Sequence, residues 1–327
     1  MKKINRKFLP ALKNLIEICA DLKPHESVLI VSDYNTENIG SILYNLVEKI
    51  STSTEHIIIP PFTIHGEEPP IEVGDKMENY NVIFGLTKMS MAHTNARFIA
   101  SKKGAKYLSL PDYNLDLLQS KALLANFKSL TKRSLLLKEI LDKAKKITLT
   151  TKKGSHLELN IENRIANAAP GWCYQEGVIA SPPDAETNIA VIENKSNGVV
   201  IVDGSIPCVE IGLLGADQKL VFENGCLVGV EGTKGDILKQ IFNQCIDNEK
   251  ARIIGEFGIG LNPFARLTGN MLEDEGTIGT VHIGLGSNST IGGNNSVPFH
   301  LDFVIKKATV RVDDSIIINN GEILVAL

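Results

Sequence analysis

The sequence has few cysteines, and none lies close to another. The five cysteines are odd in number, lie far apart and never form a C-x-x-C pair: Cys19, Cys173, Cys208, Cys226 and Cys245. A disulfide framework needs paired cysteines, and a zinc ribbon needs closely spaced ones. Both kinds of site are therefore excluded.

An excess of one charge and long hydrophobic runs are also missing. Lys and Arg total 34 against 38 Asp and Glu, which gives a formal net charge of −4. Binding to nucleic acid depends on a basic excess. No window approaches ~18 uninterrupted apolar residues, and the start, MKKINRKFLP, has no signal-peptide core. We therefore expect neither nucleic acid nor a membrane as a partner, and we predict a cytoplasmic protein.

Residues 1–145 alternate strand-like and helix-like segments. Strands are predicted at 27–33, 56–59, 81–86 and 107–110, with helices at 37–50 and 91–103 between them. This alternation predicts an α/β N-terminal domain with an open, mostly parallel sheet. Its turns contain neither G-x-G-x-x-G nor G-x-x-x-x-G-K-[ST], so the two common nucleotide-binding motifs are absent.

Residues 146–327 have a different pattern. Short strand-like segments are separated by N-G and D-G turns, and one amphipathic helix is predicted at 234–248. The spacing is typical of antiparallel sheets and predicts a β-rich α+β C-terminal domain. We interpret residues 188–197 as a polar insertion between strands, and the helix at 132–145 as the junction between the domains.

The most informative donor pair is His300 with Asp302, in VPFHLDFVI. Residues two apart on a strand point to the same face, so these two side chains are presented together while Leu301 and Phe303 point to the other face. The same alternation places His282 beside Gly284, whose small size leaves room for the imidazole.

Three carboxylates and two imidazoles make up the predicted metal donors: Glu176, Glu256, His282, His300 and Asp302. This set suits zinc, cobalt, manganese or iron. Five donors fit a pair of divalent ions ~3.5–4 Å apart that activate a shared water. Each of these residues taken alone is equally compatible with a structural role, and the H-E-x-x-H motif is absent.

Several segments, taken in order, resemble the thermophilic aminopeptidase family (aminopeptidase T/S and PepS-like metallopeptidases), in particular its shorter leucyl aminopeptidase-like members. The segments are SMAHTNAR (90–97), EGVIASPP (176–183), GEFGIGLNP (255–263), DEGTIGTVHIGLG (274–286) and GGNNSVPFHLD (292–302). The resemblance implies a homodimeric hydrolase that removes N-terminal amino acids from small peptides. It further implies that the five donors hold two divalent ions (Zn, Co or Mn), that Glu256 bridges them, and that Glu275 is the general base.

His93 and Arg97 are predicted to bind substrate. They begin the helix after strand 81–86, at the edge where open α/β sheets bind ligands. In the functional interpretation they contact a carboxylate of a peptide or other small-molecule substrate, or the partner subunit. In the structural alternative Ser90 caps this helix and nothing more is implied.

The same superfamily offers a second hypothesis. The sequence is also similar to iron-dependent 2,5-dihydroxypyridine dioxygenases, which need two histidines and one carboxylate for one Fe(II). His282, His300 and Asp302 would supply them. Two departures from the longer aminopeptidases, Thr277 in place of an acid and Ser289 in place of a Tyr, leave this alternative open, together with a catalytically lapsed scaffold. With Glu176 and Glu256 both present, the hydrolase is the preferred expectation.

Overall fold

A computed structural model describes residues 7–325 of the protein. The helices of this part of the chain are α1 Leu9–Asn14, α2 Glu37–Val47, α3 Ile71–Met77, α4 Asn95–Lys102, α5 Phe127–Lys143, α6 Gly235–Gln244, α7 Asn248–Ala251 and α8 Met271–Asp274. A π-helical turn, Leu15–Cys19, continues α1, and 3₁₀ turns lie at Leu117–Gln119, Lys121–Leu124 and Ser289–Ile291.

The strands of the first half are β1 Ser27–Asp33, β2 Ser53–Ile59, β3 Val82–Leu86, β4 Lys106–Ser109, β5 Lys146–Thr150, β6 His156–Asn160, β7 Asn167–Ala169, β8 Ile179–Ala180, β9 Glu186–Ala190 and β10 Asn197–Val202. They continue with β11 Ser205–Ile206, β12 Gly212–Leu213, β13 Gln218–Glu223, β14 Cys226–Glu231, β15 Ile254–Gly260, β16 Thr280–Gly286, β17 His300–Lys306, β18 Thr309–Val312, β19 Ser315–Asn319 and β20 Glu322–Ile323.

The chain forms two compact units. The first contains the described residues up to Ser129 together with Gly171–Pro183, and the second contains Leu130–Pro170 and the described residues from Asp184 onward. The boundary expected from sequence was a single one, at residue 145. The structure instead passes from one unit to the other three times, because the segment 171–183 adds β8 to the sheet of the first unit.

The first unit is built on a five-stranded sheet in the order β2-β1-β3-β4-β8, and every pair in it is parallel. Strand β1, which pairs with β2 on one side and β3 on the other, is buried at every residue except Ser27. An unbroken apolar strand such as SVLIV is what a parallel sheet covered on both faces requires. Among residues 7–325, none of the helices combines the length and the hydrophobicity of a transmembrane span.

The second unit is β-rich. Its larger sheet has eight strands in the order β14-β13-β10-β6-β5-β18-β19-β20, and its smaller sheet has five in the order β17-β16-β15-β9-β7. The strand pairs of both sheets are antiparallel. An α/β domain with a parallel sheet and a β-rich domain are therefore confirmed.

One segment was interpreted wrongly. The sequence pattern predicts a polar insertion at residues 188–197, but Asn188 to Ala190 belong to β9, which pairs with β15 and β7 inside the five-stranded sheet. The strand starts with polar residues, Glu186, Thr187 and Asn188, and all three are buried. Polar residues are rare at such positions, which is why the pattern did not predict a strand.

Candidate metal centre

One face of the five-stranded sheet carries ionisable side chains, and the other is apolar. The cross-strand register aligns Glu256 with Gly284 and Gly284 with Asp302, and it aligns His282 with Gly258. Cross-strand partners share a face, and so do residues two apart on one strand. The opposite face consists of fully buried apolar residues: Ile189, Phe257, Ile283, Phe303 and Ile305.

The donor atoms converge on His282, which is 1% exposed. Its Nε2 lies 3.2 Å from Glu186 Oε2 and 3.8 Å from Glu256 Oε1. One donor atom from each of these three residues lies within 4.8 Å of the others, and all three residues are buried. Among the described residues, Glu186 Oε2 has no partner with hydrogen-bond geometry despite its closeness to His282. The donor atoms of the two side chains are close enough to bind one ion.

His300 and Asp302 extend the same cluster. His300 Nε2 lies 3.3 Å from Asp302 Oδ1 and 3.5 Å from Glu256 Oε2. Glu256 therefore lies between the two imidazoles. Asp302 is 4% exposed, whereas 34% of the His300 side chain is accessible. The sequence prediction that Glu256, His282, His300 and Asp302 lie together agrees with this arrangement.

The imidazoles are surrounded by negative charge. Burial by itself lowers the pKa of His282, but contacts with Glu186 and Glu256 outweigh burial and raise that pKa well above its ordinary value. Burial also lowers the pKa of His300, but Asp302 outweighs burial and raises that pKa to about 10. His300 in turn lowers the pKa of Asp302, against the effect of burial. The cluster thus attracts positive charge, which protons supply when no metal is bound.

Two further acids adjoin the cluster, the buried Asp184 and the half-buried Glu275. Burial, and then the charge of Glu186, raise the pKa of Asp184 well above its ordinary value. Burial, and then Asp302, do the same for Glu275, whose carboxyl hydrogen-bonds to Asp302. A protonated Glu275 can donate to an Asp302 oxygen. Glu275, predicted as a general base, therefore lies at the site in contact with a predicted ligand.

Glycines provide the space that the donors occupy. A Cβ at Gly258 would lie 2.0 Å from His282 Nε2, and a Cβ at Gly284 would lie 2.8 Å from the Cε1 atom of His300 and 3.0 Å from Asp302 Oδ1. The first two distances are shorter than real Cβ contacts, and the third is tighter than nine in ten of them. Each of these glycines faces the cluster between two donor-bearing strands. The donor side chains fit on this face because these two positions are glycines.

The arrangement fits a divalent cation. It offers two imidazole nitrogens and several carboxylate oxygens at short range, some of them without hydrogen-bond partners in the described part of the chain. Buried carboxylates at this density are costly unless a cation neutralises them. A divalent ion would replace the imidazole protons, because ligand nitrogens must be deprotonated to bind.

Three predicted site residues lie elsewhere, in the first unit. Glu176 is exposed, and its Oε2 lies 3.6 Å from the position of a Cβ on Gly104. His93 is also exposed and precedes α4. The Arg97 side chain donates from Nε to the carbonyl of Ala92 at 2.5 Å. The cap of α4 is Thr94, whose hydroxyl accepts from the Arg97 amide, and Ser90 does not fill that position.

Sequence reasoning missed Glu186 and Asp184. Glu186 is one of the three residues of the donor group that Glu256 and His282 complete. It lies ten residues after Glu176, beyond the S-P-P-D turn, on a strand that was not recognised. A sequence signal was available, because ETNIAV ends in a β-branched apolar run that pairing with β15 would bury.

Comparison with known proteins adds three findings. The family model described as NicX, 2,5-dihydroxypyridine 5,6-dioxygenase, matches residues 7–325. The structure of 2,5-dihydroxypyridine dioxygenase from Pseudomonas putida KT2440 is similar, with a TM-score of 0.84 at 17% identity over 99% of each chain. Wild-type AmpT from Thermus thermophilus is similar at a TM-score of 0.66 and 13% identity, over 98% of this chain and 99% of that one. No curated protein sequence matches. At these identities the two structures show the fold alone.

These findings overturn the preferred expectation from sequence. An aminopeptidase-type hydrolase acting in proteolysis was expected, but the matching family is one of dioxygenases, the stated alternative. The error has a structural reason. Three of the five segments that carried the resemblance build the donor-bearing strands β15, β16 and β17, and the fold that contains these strands is shared with both solved structures. Such segments indicate the fold and do not distinguish the reactions that proteins of this fold catalyse.

The extent of the family match settles the assignment. It begins at residue 7, ends at residue 325 and includes every strand of both units and every donor of the cluster. The chain therefore belongs to the 2,5-dihydroxypyridine 5,6-dioxygenase family.

Proposed function

We propose that this protein is an iron(II)-dependent dioxygenase that acts on a dihydroxylated pyridine or a closely similar hydroxylated aromatic compound. The observation that carries the proposal is the placement of His282, His300 and Asp302 on one face of a single sheet. Two histidines and one carboxylate are the ligand set of non-haem iron(II) oxygenases. The family match supports the same reaction class.

His282, His300 and Asp302 would hold the iron. Iron(II) would supply the redox chemistry between dioxygen and the aromatic ring, with the positions that three protein ligands leave open. The protein side chains have the remaining tasks of orienting the ligands and handling protons. Glu275 holds a proton that it donates to Asp302, and this hydrogen bond fixes the orientation of the Asp302 carboxylate.

Glu186 and Glu256 are proposed to accept protons from the substrate. A dihydroxylated ring has hydroxyl groups that become better electron donors as they lose their protons. Glu186 Oε2 is buried without a hydrogen-bond partner in the part of the chain that the structure describes. An acceptor of this kind, beside the imidazole of His282, suits a substrate hydroxyl. The two glutamates thereby have a task at a site that needs only one ion.

The roles of His93 and Arg97 in substrate binding and the homodimer stay predictions. For His93 and Arg97 the test is the KM for the dihydroxypyridine in His93→Gln and Arg97→Met variants. For the homodimer the test is the mass in solution by light scattering. A metal role for Glu176 also stays a prediction, and the Kd for Co²⁺ in a Glu176→Gln variant tests it.

Oxygen uptake tests the proposed function. Protein loaded with iron(II) under anaerobic conditions is mixed with 2,5-dihydroxypyridine and air-saturated buffer. We expect oxygen to be consumed in equal amount to the substrate while the aromatic absorbance disappears, and we expect a chelator to abolish both. His300→Gln should lose this activity together with the iron, whereas Gln substituted for the exposed Glu231 should change neither.

Two results would contradict the proposal. One is iron binding at one ion per chain without oxygen uptake for any dihydroxylated pyridine or benzene. The other is hydrolysis of leucyl anilide that is lost on chelation and restored by zinc or cobalt without oxygen consumption, because that reaction uses the metal to activate water.

A further inference from the structure

We infer that Asn288, clamped by the Arg164–Glu193 ion pair, is a positioning residue for the metal centre. It acts by fixing the point where the donor-bearing strands meet the loop before His300. The inference rests on the metal site of the proposed function. None of these three side chains is among the proposed ligands.

Asn288 connects the ends of the strands that carry the donors. Its side chain is fully buried, and its Nδ2 lies 3.4 Å from Val191 O, 3.2 Å from Gly255 O and 3.0 Å from Glu193 Oε1. Its Oδ1 accepts from the Asn295 amide at 2.8 Å. Val191 directly follows the strand of Glu186, and Gly255 directly precedes Glu256. One amide group thus joins β9, β15 and the loop between β16 and β17.

The loop is built around this side chain. A Cβ at Gly293 would lie 2.0 Å from the Asn288 Cγ, so the backbone passes directly against the amide. The main chain of Asn288 adds three bonds to the loop, from its own amide to Asn295 O and from the amides of Ile291 and Gly293 to its carbonyl. The glycine- and asparagine-rich turn is therefore tightly bonded, although its composition resembles that of a flexible loop.

The ion pair holds the other side of the loop. Arg164 Nη2 donates to both oxygens of Glu193, at 2.9 and 2.8 Å, and its Nη1 donates to Gly292 O at 2.7 Å. Glu193 Oε1 also accepts from the Asn294 amide at 2.7 Å. The two side chains are only 11% and 21% exposed, so water screens the pair less than it screens a surface ion pair. Arg164 and Glu193 together fix the loop residues on either side of Gly293.

The connection to the metal passes through Ser287, the neighbour of Asn288. Its carbonyl lies 3.0 Å from His300 Nδ1, and its amide donates to Phe299 O at 2.8 Å. A histidine that donates from Nδ1 presents Nε2 to a metal, and the partner of Nδ1 sets the orientation of the ring. Packing restrains the His300 ring less than the His282 ring, because 34% of the His300 side chain is exposed and only 1% of the His282 side chain is. The contact with Ser287 is therefore important for the orientation of His300. A shift of Ser287 therefore moves the His300 Nε2 atom.

The test removes the clamp without touching a proposed ligand. Three variants are compared with wild type: Glu193→Gln, Arg164→Met and Asn288→Ala. The matched control is Glu231→Gln, since Glu231 pairs with Lys219 at 2.9 Å on the surface of the same unit and receives the same substitution. The measurements are the Kd for Co²⁺, the visible absorption of the Co²⁺-loaded protein, and the ring ¹⁵N signals of the Zn²⁺-loaded protein labelled at its seven histidines.

We expect the three variants to bind Co²⁺ about 10- to 100-fold more weakly, the range found when a partner of a ligating histidine is lost. The Co²⁺ bands should change, and the His300 ring signals should move while those of His282 stay in place. Glu231→Gln should match wild type in every measurement. A purely structural role would lower the melting temperature and leave the Co²⁺ spectrum of the folded protein unchanged.

The inference is overturned if Glu193→Gln and Arg164→Met are folded and bind Co²⁺ within twofold of wild type with an unchanged spectrum. Glu193→Gln keeps the shape of the side chain, so it decides the matter even if Asn288→Ala does not fold. The proposed function fails on a different result. Wild type that binds the metal but consumes no oxygen contradicts the dioxygenase, and the Co²⁺ measurements still decide the positioning role.

Discussion

Replacing Gly258 with alanine is the sharpest perturbation of the metal centre. Gly258 lies on β15 directly opposite His282 on β16, and its strand partner on the other side is Asn188. It lies in extended strand backbone that alanine can adopt, so the substitution adds one methyl group and little else. The added atom points at the nitrogen that is proposed to bind the metal.

The size of the effect follows from the distances. The new Cβ would lie 2.0 Å from His282 Nε2, 2.1 Å from its Cε1 and 2.9 Å from Glu186 Oε2, whereas ordinary contact begins at 3.4 Å. The imidazole must therefore move by about 1.4 Å, the difference between 2.0 and 3.4 Å. Metal–ligand distances tolerate only about 0.2 Å. We expect the Kd for Co²⁺ or Fe²⁺ to rise at least ~100-fold, which is ~2.7 kcal/mol of binding free energy.

A matched control is available in the same unit. Gly229 lies in β14, and a Cβ there would meet Val221 at an ordinary 3.4 Å. Gly229→Ala should bind metal as wild type does. Both variants are titrated with Co²⁺ under anaerobic conditions, and their melting temperatures are measured without metal, so that lost affinity can be separated from the ~1–3 kcal/mol that overpacking costs in stability.

Wild-type metal affinity in a folded Gly258→Ala protein would refute the reasoning. The methyl group cannot occupy its position while His282 keeps the one described. Unchanged affinity would therefore mean that His282 Nε2 does not bind the ion and that the cluster holds metal through other donors.

Three further predictions follow from the same contacts. Glu186→Gln should weaken Co²⁺ binding at least about tenfold, because Glu186 Oε2 lies 3.2 Å from Nε2 of His282, a proposed ligand. The exposed Glu176 of the first unit has no such contact, so Glu176→Gln should weaken binding less than about twofold, and equal losses in the two titrations would contradict this difference. Chelation should lower the melting temperature, since an ion present at 100 times its Kd adds ~2.7 kcal/mol to the free energy of unfolding; a calorimetric scan with and without chelator measures it. Burial lowers the pKa of His65 below its ordinary 6.5, and neutral Nδ1 accepts from the Ser90 amide at 3.1 Å. This hydrogen bond should stabilise the protein above pH 6.5 and lose its effect as the pH falls through the lowered pKa, so the stability difference between wild type and His65→Gln should narrow from about pH 7.5 to about pH 5.

The donor-bearing face could be predicted because strand periodicity is a local property. His300 and Asp302 alternate with Leu301 and Phe303, and the structure places them on opposite faces of β17. The same alternation placed His282 with Gly284. Period-two patterns need no knowledge of the rest of the fold, so these residues could be found from the sequence alone.

Glu176 and Glu186 show where local patterns stop being informative. Both acids precede short apolar runs, VIA in one case and the end of ETNIAV in the other. Only the sheet topology separates them, because β8 adds to the parallel sheet of the first unit while β9 enters the five-stranded sheet beside β15. The apolar end of ETNIAV indicates a strand, but the spacing of nearby residues does not show which strand it pairs with. The contact with His282, which lies almost one hundred residues later in the chain, offsets the free-energy cost of burying Glu186.

The reaction was mispredicted for a related reason. The preference for a hydrolase rested on the number of acids, since two glutamates beyond the His-His-Asp set had no task at a single ion. The structure shows that acids at this site exceed the needs of either hypothesis, because Asp184 is buried there and the half-buried Glu275 contacts Asp302. A count of carboxylates therefore cannot measure the number of metal ions. What distinguishes the two chemistries is which oxygens remain ionised and free to bind a cation. Burial and neighbouring carboxylates raise the pKa of Asp184 and of Glu275 well above the ordinary value, which favours their neutral forms and lowers the negative charge that a bound cation has to balance.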